Sequence, residues 1–377
     1  MKKPKIVFVT PFFYPVIGGV ESHIFYKAQE LIKLGYDIEV FTSDSNRSGI
    51  IENKSEVMDG IKVTRFKTKG KVGFGEVFFP EVFKAVKKSN ADIFHVHGFR
   101  HNYNFVIWYT NKPLFITPHF PIYRGQRGKL VQLAVDLIDI FLGKYIFKKF
   151  NRICVVTGRE TNWIKSFNVP DNKIILTPNA IPENYFKNYN SNNFRKKYKL
   201  KENEIVVLTV SRIHKSKGID QLIRVAKHFP KVKFVIIGKD GGEQENLQNL
   251  TKQLNLKNII FGGMVSEQEK LEAYSSADIF CSPSHFEGFC ISILEAMAQK
   301  CAVITSDQGG MPWVVSDSGL IFKIGDLKDL KNKLNKLVEN KDLRNNLIKK
   351  GSIRVKDFSW KKTAQILDRE YKMLMKN

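Results

Sequence analysis

The stretch from Cys281 to Ile304, CSPSHFEGFCISILEAMAQKCAVI, places the tightest constraint on how this chain can fold. A short predicted strand, Ala277 to Cys281, runs into a Pro/Ser loop, a helix follows from Ile291 to Gln299, and a second strand begins at Ala302. Strand, loop, helix and strand form the unit by which an open parallel sheet presents the amino end of a helix to a ligand. The free backbone N–H groups at that helix start favour an anion.

Two glutamates eight positions apart, Glu287 and Glu295, accompany this helix start. Taken singly, Glu287 has an ordinary explanation as a helix cap and Glu295 as surface charge. Together they place two carboxylates that accept hydrogen bonds from hydroxyls around a set of anion-binding N–H groups. That combination suits a nucleotide diphosphate-sugar. The N–H groups belong to Gly288, Phe289 and Cys290.

Predicted strands and helices alternate along the whole chain, which favours doubly wound α/β domains. With 377 residues, the chain is long enough for two such domains, each with its own core. A long amphipathic helix is predicted from about Lys129 to Lys149, and the polar, Asn-rich segment 178–199 is typical of a linker.

A basic loop, Ser211 to Gly218, follows the first strand of the second half and opens a helix. Arg212 can donate as a planar fork and Lys217 can act as a point charge, so the loop is a candidate phosphate site. A solvated basic loop is the alternative. No Asp-x-Asp pair occurs in the sequence, which is consistent with chemistry that needs no metal.

Two further features of the first half are weaker when taken alone. Gly18 and Gly19 precede the first helix, where a backbone without Cβ atoms can approach a ligand closely. His119 follows a strand in a Thr-Pro-His sequence, and an ordinary structural histidine explains it equally well.

These strings resemble those of retaining glycosyltransferases of the GT-B fold, family four in particular. The similarity lies in SADIFCSPSHFEGF, LEAMAQKCAVITSDQGGMP, the SR-x4-KG loop and the first-half glycine loop, which is similar to that of phosphatidylinositol-sugar-transferring members. The resemblance implies that the Glu287 region binds the donor sugar and Glu295 the ribose. It further implies that Arg212 and Lys217 hold the diphosphate and that His119 lies near the sugar.

The resemblance also implies a wider set of donor contacts and a set of departures from the family pattern. Segments at 238–243 and 262–265 would supply backbone contacts near the base. Cys290 stands where the family usually has Gly, and Trp313 replaces a usual acidic residue. Besides the two phosphate cations and the two glutamates, the expected donor-binding residues are Gly18, Gly19, Gly238, Val265, Gly288, Phe289, Cys290 and Ile291.

On this basis we expect two Rossmann-like domains facing across a cleft: an acceptor domain over 1–182, a donor domain over 183–356, and a final helix over 357–377 that crosses back to the first. The expected reaction is retaining, metal-independent transfer of a hexose from a UDP- or GDP-sugar to an acceptor hydroxyl on a lipid-linked or membrane-surface glycan precursor. No cofactor is expected beyond the nucleotide-sugar itself. The alternatives are a nucleotide-sugar 2-epimerase of the same fold, and a non-catalytic nucleotide-sugar-binding or nucleic-acid-binding protein.

The formal net charge is +24, and residues 61–150 hold 16 basic against 5 acidic residues. Such an excess implies an anionic partner, unless the composition simply reflects lysine on solvated faces. Aromatic residues among the basic ones favour an anionic membrane surface over nucleic acid. The alternative is that the aromatic residues face the core. The basic residues of this patch are Lys62, Arg65, Lys67, Lys69, Lys71, Arg124, Arg127 and Lys129; the aromatic ones are Phe66, Phe74, Phe78, Phe79, Phe120 and Tyr123.

The four cysteines lack the spacing of metal ligands and sit in or beside apolar strands, so they are interpreted as reduced packing residues. No apolar stretch is long enough and free enough of polar residues to span a bilayer. We expect a cytoplasmic location, or a peripheral one on the inner face of the cytoplasmic membrane.

Overall fold

The structure, a computed structural model, describes residues 3–46, 49–72, 76–120 and 129–376. Two compact units make up the chain. The first combines Met1–Ala180 with Ser359–Asn377, and the second is Ile181–Phe358.

The first unit is built on an eight-stranded sheet with the order β10-β9-β8-β7-β1-β2-β4-β3, in which only β3 runs antiparallel to its neighbour. Its strands are β1 (Lys5–Val9), β2 (Asp37–Ser43), β3 (Ser55–Met58), β4 (Ile61–Phe66), β7 (Ile93–His97), β8 (Leu114–Thr117), β9 (Arg152–Val155) and β10 (Ile174–Leu176), while β5 (Lys71–Val72) and β6 (Glu76–Val77) pair separately. Its first helices are α1 (Gly19–Lys33), α2 (Glu81–Lys88), α3 (Lys129–Ile138), α4 (Lys144–Lys149) and α5 (Gly158–Lys165).

Both faces of this sheet are covered. In β1, Val7 and Val9 belong to one apolar cluster, whereas Ile6 and Phe8 belong to another. Alternate side chains of one strand therefore enter two cores, which explains why the strand is apolar throughout rather than alternating.

The second unit carries a six-stranded, wholly parallel sheet with the order β13-β12-β11-β14-β15-β16. Its strands are β11 (Val206–Val210), β12 (Lys233–Ile237), β13 (Ile259–Gly263), β14 (Ile279–Ser282), β15 (Ala302–Ser306) and β16 (Gly319–Phe322). Its helices are α6 (Ser191–Lys197), α7 (Ile219–Ala226), α8 (Gln244–Gln253), α9 (Glu267–Ser276), α10 (Ile291–Ala298), α11 (Met311–Val315), α12 (Leu327–Glu339) and α13 (Lys341–Arg354). The strand order reverses between β11 and β14, and in such sheets ligands bind where the order reverses.

The last helix, α14 (Trp360–Met375), belongs to the first unit and packs on α1. Its Tyr371 hydroxyl lies 2.6 Å from His95 Nδ1. Thr363 donates to the Pro178 carbonyl at 2.9 Å. The helix is thus tied both to β7 and to the segment that follows β10.

One expectation about local structure is wrong, and another is confirmed with a local irregularity. Segment 178–199 is not a simple linker, because Ile181, Tyr185 and Phe194 are buried and α6 packs on α9. The helix predicted over 129–149 is present, with a π-helical turn at Asp139–Gly143 within it. A Cβ added at Gly143 would lie 2.7 Å from the Phe167 ring, so glycine is required there by packing.

Among the described residues, no helix combines the length and the apolar character needed to cross a bilayer.

Candidate active site

The loops that follow β11 and β14 meet where the strand order reverses in the second unit. Lys217, in a 3-10 turn after β11, places its Nζ 2.5 Å from Glu287 Oε1, in the loop after β14. Ser284 donates to the same carboxylate oxygen at 3.2 Å. Two residues predicted separately from sequence, seventy positions apart, are therefore in direct contact.

Glycines allow the loops after β11 and β15 to touch the loop after β14 through their backbones. Gly218 has φ +59, and a Cβ there would lie 2.2 Å from the Pro283 carbonyl oxygen. Gly309 has φ +57, and a Cβ there would lie 2.0 Å from the Glu287 carbonyl oxygen. The same carbonyl accepts a hydrogen bond from Gly310 N–H at 2.8 Å. Glu287 is thus fixed through its main chain as well as its carboxylate.

The side of this contact that faces Glu287 is positively charged. Burial lowers the pKa of Lys217, but the Glu287 carboxylate more than offsets it, and the net shift of that pKa is upward. Lys217 is therefore charged. The exposed Arg212 lies close enough to oppose part of that shift through like-charge repulsion. Arg212 and Lys217 form a pair of neighbouring cations of which one is paired with a carboxylate.

The helix start after this loop exposes backbone rather than side chains. Gly288 is half-buried, whereas the Phe289 and Cys290 side chains are buried, and Ile291 begins α10. Cys290 has φ +75, the left-handed region that favours glycine. Burial raises the pKa of its thiol to about 11, so this cysteine is unreactive at neutral pH.

Glu295 lies on α10 and is held by side chains of α9. It accepts a hydrogen bond from the Tyr274 hydroxyl at 2.7 Å and lies 3.4 Å from Lys270 Nζ. Lys270 is also paired with Glu267 at 3.0 Å. The sequence reasoning missed Lys270 and Tyr274, although their i,i+4 spacing places them on one face of a helix.

Gly238 and Val265 follow the neighbouring strands β12 and β13, at the same edge of the sheet. Gly238 has φ +145, and a Cβ there would lie 1.8 Å from the Ser211 carbonyl oxygen, so the loops after β11 and β12 also touch. Val265 is half-buried in the turn before α9. The predicted donor residues of the second half therefore lie in the loops and the helix start that follow β11 to β14, except Glu295, which lies one turn into α10.

In the first unit, Gly18 and Gly19 lie at the start of α1. Gly18 has φ −172, and neither glycine has a positive φ, so conformational freedom does not explain them. A Cβ added at Gly19 would meet none of the described atoms within 4 Å. The start of α1 therefore has open space beside the Gly19 backbone, where a ligand could approach, and it has no backbone strain that only glycine could relieve.

His119 belongs to a largely buried group of histidines gathered around a lysine of α1. Its Nε2 lies 3.1 Å from His97 Nδ1. Lys27 Nζ lies 3.3 Å from His97 Nε2 and 3.0 Å from His23 Nε2. His23 Nδ1 in turn lies 2.5 Å from Asn179 Oδ1. Sequence reasoning singled out His119 but did not connect it to α1.

The loop that carries His119 is anchored from behind by Glu160 of α5. One Glu160 oxygen accepts from Phe120 N–H and the other from Val156 N–H, each at 2.6 Å. His119 and Phe120 both have positive φ, 61° and 47°, so the anchored loop holds a backbone that is strained for these residue types. Burial raises the pKa of Glu160 to about 8 in spite of the two N–H donors.

A model of the family "Glycosyltransferase Family 4" matches residues 17–185, and a model of "Glycosyl transferases group 1" matches residues 190–354. The chain belongs to the family 4 glycosyltransferases. The first match takes in the histidine group, and the second takes in the loops that follow β11 and β14.

Curated relatives agree with this membership, and solved structures share the fold. The glycosyltransferase is 24% identical, over 98% of its length and 83% of the relative's, to a subunit of the phosphatidylinositol N-acetylglucosaminyltransferase of Arabidopsis thaliana. It is 25% identical, over 90% of its length and 76% of the relative's, to the GPI3 subunit of the transferase of the same name in Saccharomyces cerevisiae. In structure it is similar to sucrose-phosphate synthase of Thermosynechococcus elongatus, with a TM-score of 0.80 and 21% identity over 99% of both chains. HepE of Anabaena, in complex with UDP and glucose, has a TM-score of 0.75 and 19% identity over 98% of this chain and 100% of HepE. The fold is GT-B.

The histidine group of the glycosyltransferase is its candidate cation site. His23, His97 and His119 bring nitrogen atoms within 4.8 Å of one another, which is a possible ligand set for a metal ion. Lys27, however, already hydrogen-bonds the Nε2 atoms of two of them. A metal ion would have to displace that lysine, so the group as it stands fits an internal amine better than a resident metal.

The prediction of a basic and aromatic patch over 62–129 is wrong in part for this glycosyltransferase. Arg65 points inward, because β4 alternates and Ile61, Val63 and Arg65 share its buried face. Its guanidinium pairs with Glu56. The exposed basic residues that remain are Lys62, Lys67 and Lys69, with Phe66 and Phe78 half-buried and Phe79 and Phe120 in the core. Outside the described residues lie Phe74, Tyr123, Arg124 and Arg127, and also the side chains of Lys71 and Lys129.

Proposed function

We propose that this glycosyltransferase moves a hexose from a UDP-sugar to a hydroxyl of a lipid-linked acceptor at a membrane surface, with retention at the anomeric carbon and without a metal ion. The contact of Lys217 with Glu287, beside Arg212, carries the proposal. It brings two cations that suit a diphosphate next to a carboxylate that suits sugar hydroxyls. The plant and yeast relatives, both named as parts of a phosphatidylinositol N-acetylglucosaminyltransferase, support the acceptor class. The complex of HepE with UDP and glucose supports the base.

In this proposal the chemistry depends on charge that develops on the leaving diphosphate. Arg212 and Lys217 stabilise the growing negative charge on the β-phosphate, in the role that a metal ion plays elsewhere. Because Lys217 is paired with Glu287 in the structure, the bound diphosphate would compete for the ammonium and release Glu287 towards the sugar. Retention without an enzyme nucleophile follows if the leaving phosphate takes the proton of an acceptor that attacks on the same face.

The decisive experiment measures UDP or GDP release from a panel of nucleotide-sugars in EDTA, with phosphatidylinositol vesicles as acceptor, and determines the anomeric configuration of the product by NMR. We expect release of UDP and formation of an α-glycoside from an α-linked donor, at a rate that added Mg²⁺ or Mn²⁺ does not change. Turnover only of GDP-sugars, loss of activity in EDTA, or inversion would each contradict the corresponding part of the proposal. Release of UDP with a free 2-epimerised sugar would favour the epimerase.

Glu295→Ala is expected to weaken UDP binding about tenfold while leaving kcat within threefold of the wild type. A ribose contact is made equally in the ground and transition states, so its loss, about 1.4 kcal/mol, appears in affinity. Isothermal titration of UDP gives the affinity, and Glu339→Ala, on the exposed face of α12, is the matched control. Equal UDP affinity in Glu295→Ala and wild type would remove Glu295 from the site.

The surface best suited to a membrane lies on the helical segment 133–145, which we call the apolar ridge. Ile140 and Phe141 are 63% and 75% exposed, and Leu133, Leu137 and Tyr145 continue the ridge at helical spacing. Trp108, itself exposed, reaches it through a hydrogen bond to the Tyr145 hydroxyl. The opposite side of α4 is buried in the core, and exposed basic residues flank the ridge at Lys144, Lys148 and Lys149. An apolar stripe beside lysines matches an anionic bilayer, into which the side chains insert while the ammonium groups meet the lipid phosphates.

Ile140→Ser combined with Phe141→Ser is expected to lower binding to anionic vesicles at least tenfold. Burying two large apolar side chains contributes about 3–6 kcal/mol if both insert fully, and each nearby lysine adds about 1 kcal/mol. Co-sedimentation with phosphatidylserine vesicles at low and high salt measures both contributions. Ile353→Ser, at an equally exposed position of α13, is the control. Unchanged pelleting of the double variant, or equal binding to neutral vesicles, would contradict this assignment.

A further inference from the structure

Lys27 is the least expected side chain of the first unit. It lies in the middle of α1 and is 1% exposed, so it is a lysine inside a hydrophobic core. Its recorded hydrogen-bond partners in the described part of the chain are His23 and His97, and the Phe8 ring lies 5.2 Å from its Nζ. Burying an amine is costly unless it is hydrogen-bonded, so its position requires an explanation. The reaction proposed above does not use it directly.

The direction of each hydrogen bond follows from the chemistry of the two groups. Burial lowers the pKa of Lys27 to about 7. In its protonated form the Lys27 ammonium can only donate, so the Nε2 atoms of His23 and His97 accept. A neutral imidazole has one donor and one acceptor nitrogen, so the proton of each ring is on Nδ1. His23 Nδ1–H then donates to Asn179 Oδ1, which can only accept. His97 Nδ1–H donates to His119 Nε2.

The last hydrogen bond of this series determines which nitrogen of His119 carries the proton. Because His119 Nε2 accepts from His97, the proton of the neutral His119 ring is on Nδ1. We propose that Lys27 is a positioning residue that sets the tautomers of His23 and His97 and thereby holds His119 with Nδ1–H as a hydrogen-bond donor to an oxygen of the transferred sugar. The part that concerns the sugar rests on the proposed function; the part that concerns the tautomers does not.

The neutral state of the three rings supports this assignment. Burial and the charge of Lys27 lower the pKa of His23 and of His97 well below the ordinary value, and the same two causes lower that of His119 to about 3. Three rings that stay neutral through the physiological range can differ only in which nitrogen carries the proton. Lys27 therefore sets hydrogen-bonding direction rather than charge. Glu160, which anchors the loop through Phe120 N–H, fixes the position of the His119 ring.

The tautomers can be read directly in the full chain labelled with ¹⁵N-histidine. Two-bond ¹H–¹⁵N spectra separate Nδ1–H from Nε2–H rings, and His119→Gln assigns the His119 signals. We expect wild-type His119 to carry its proton on Nδ1, and Lys27→Met to abolish that preference. Lys33→Met, an exposed lysine of the same helix, is the control that should leave the spectrum unchanged. A wild-type His119 with its proton on Nε2 would overturn the proposal, and this measurement needs no variant of Lys27 to fold.

Kinetics test the consequence for catalysis. Lys27→Met should lower kcat at least about tenfold and leave the KM for the nucleotide-sugar within twofold. The reason is that a misdirected His119 N–H group weakens a hydrogen bond to the sugar mainly in the transition state. In the His119→Gln background the same substitution should change kcat less than twofold, since the two residues act through one path. An undiminished effect of Lys27→Met in that background would show a merely structural role. If no nucleotide-sugar is turned over at all, the proposed function fails while the spectra still decide the tautomers.

Discussion

Lys217→Ala is expected to lower kcat about 10²–10³-fold, the effect of removing one fixed positive group from a developing anion. The Lys217 ammonium is charged and lies 2.5 Å from a loop carboxylate at the point where the strand order reverses, so the substitution removes a positioned cation. It also leaves Glu287 without its ion-pair partner and with Ser284 as its remaining side-chain donor among the described residues. Steady-state kinetics with saturating donor measure the loss.

Lys215→Ala supplies the matched control for that experiment. Lys215 lies two residues earlier in the same 3-10 turn and is exposed, so it contributes the same formal charge without the contact. We expect its kcat to stay within twofold of the wild type, because exposed charges at a distance are screened by salt. Similar losses for the two variants would show that the loop acts only through its overall charge. Turnover of Lys217→Ala within threefold of wild type, with donor bound, would remove Lys217 from the reaction.

Gly309→Ala is expected to damage both stability and turnover. An alanine at φ +57 costs about 1–2 kcal/mol in any context. Here its Cβ would also lie 2.0 Å from the Glu287 carbonyl oxygen, a contact with backbone that no side-chain rotation can relieve. Glu287 must therefore move, and its carboxylate moves away from Lys217. We expect kcat to fall at least tenfold, since displacement of positioned groups by about 1 Å is costly in catalysis.

The control for Gly309→Ala is Gly325→Ala, which has a similar backbone strain but open space. Gly325 has φ +83, and a Cβ there would meet none of the described atoms within 4 Å. We expect the control to lower Tm by about 2–4 °C for each kcal/mol of strain and to leave kcat unchanged. Gly309→Ala should lower Tm by at least twice as much. Equal Tm losses and full activity in both variants would show that the loop after β15 does not support Glu287.

The part of the site that could be predicted from sequence is the part that follows strand ends. The loops after β11 and β14 belong to local strand–loop–helix units, and strand order brings such loops together without further information. Lys217, Glu287 and Glu295 were found in this way. The first domain's alternation of strands and helices was equally predictable, because a sheet buried on both faces needs apolar strands throughout.

The part of the site that could not be predicted depends on contacts between side chains that are far apart in sequence. Lys27, His97 and Asn179 come from a helix, a strand end and a loop far apart in sequence, and no local pattern links them. The error at Arg65 was different in kind. Its strand alternates, so its inward direction could have been inferred from Ile61 and Val63. Asn-rich composition misled the interpretation of segment 178–199, because a few apolar residues such as Phe194 suffice to anchor it.

The first unit is assembled from two separated parts of the chain, and this has a consequence for the order in which the protein is made. α14, which covers α1 and bonds His95, follows the whole of the second unit. During synthesis, at about 5–20 residues per second, residues 1–180 are therefore complete for roughly 10–40 s before their last helix emerges. In that interval the second unit can fold as a continuous segment. In the first unit, the apolar face of α1 that α14 will cover stays exposed. Chaperones that act on the nascent chain would find their binding surface on α1.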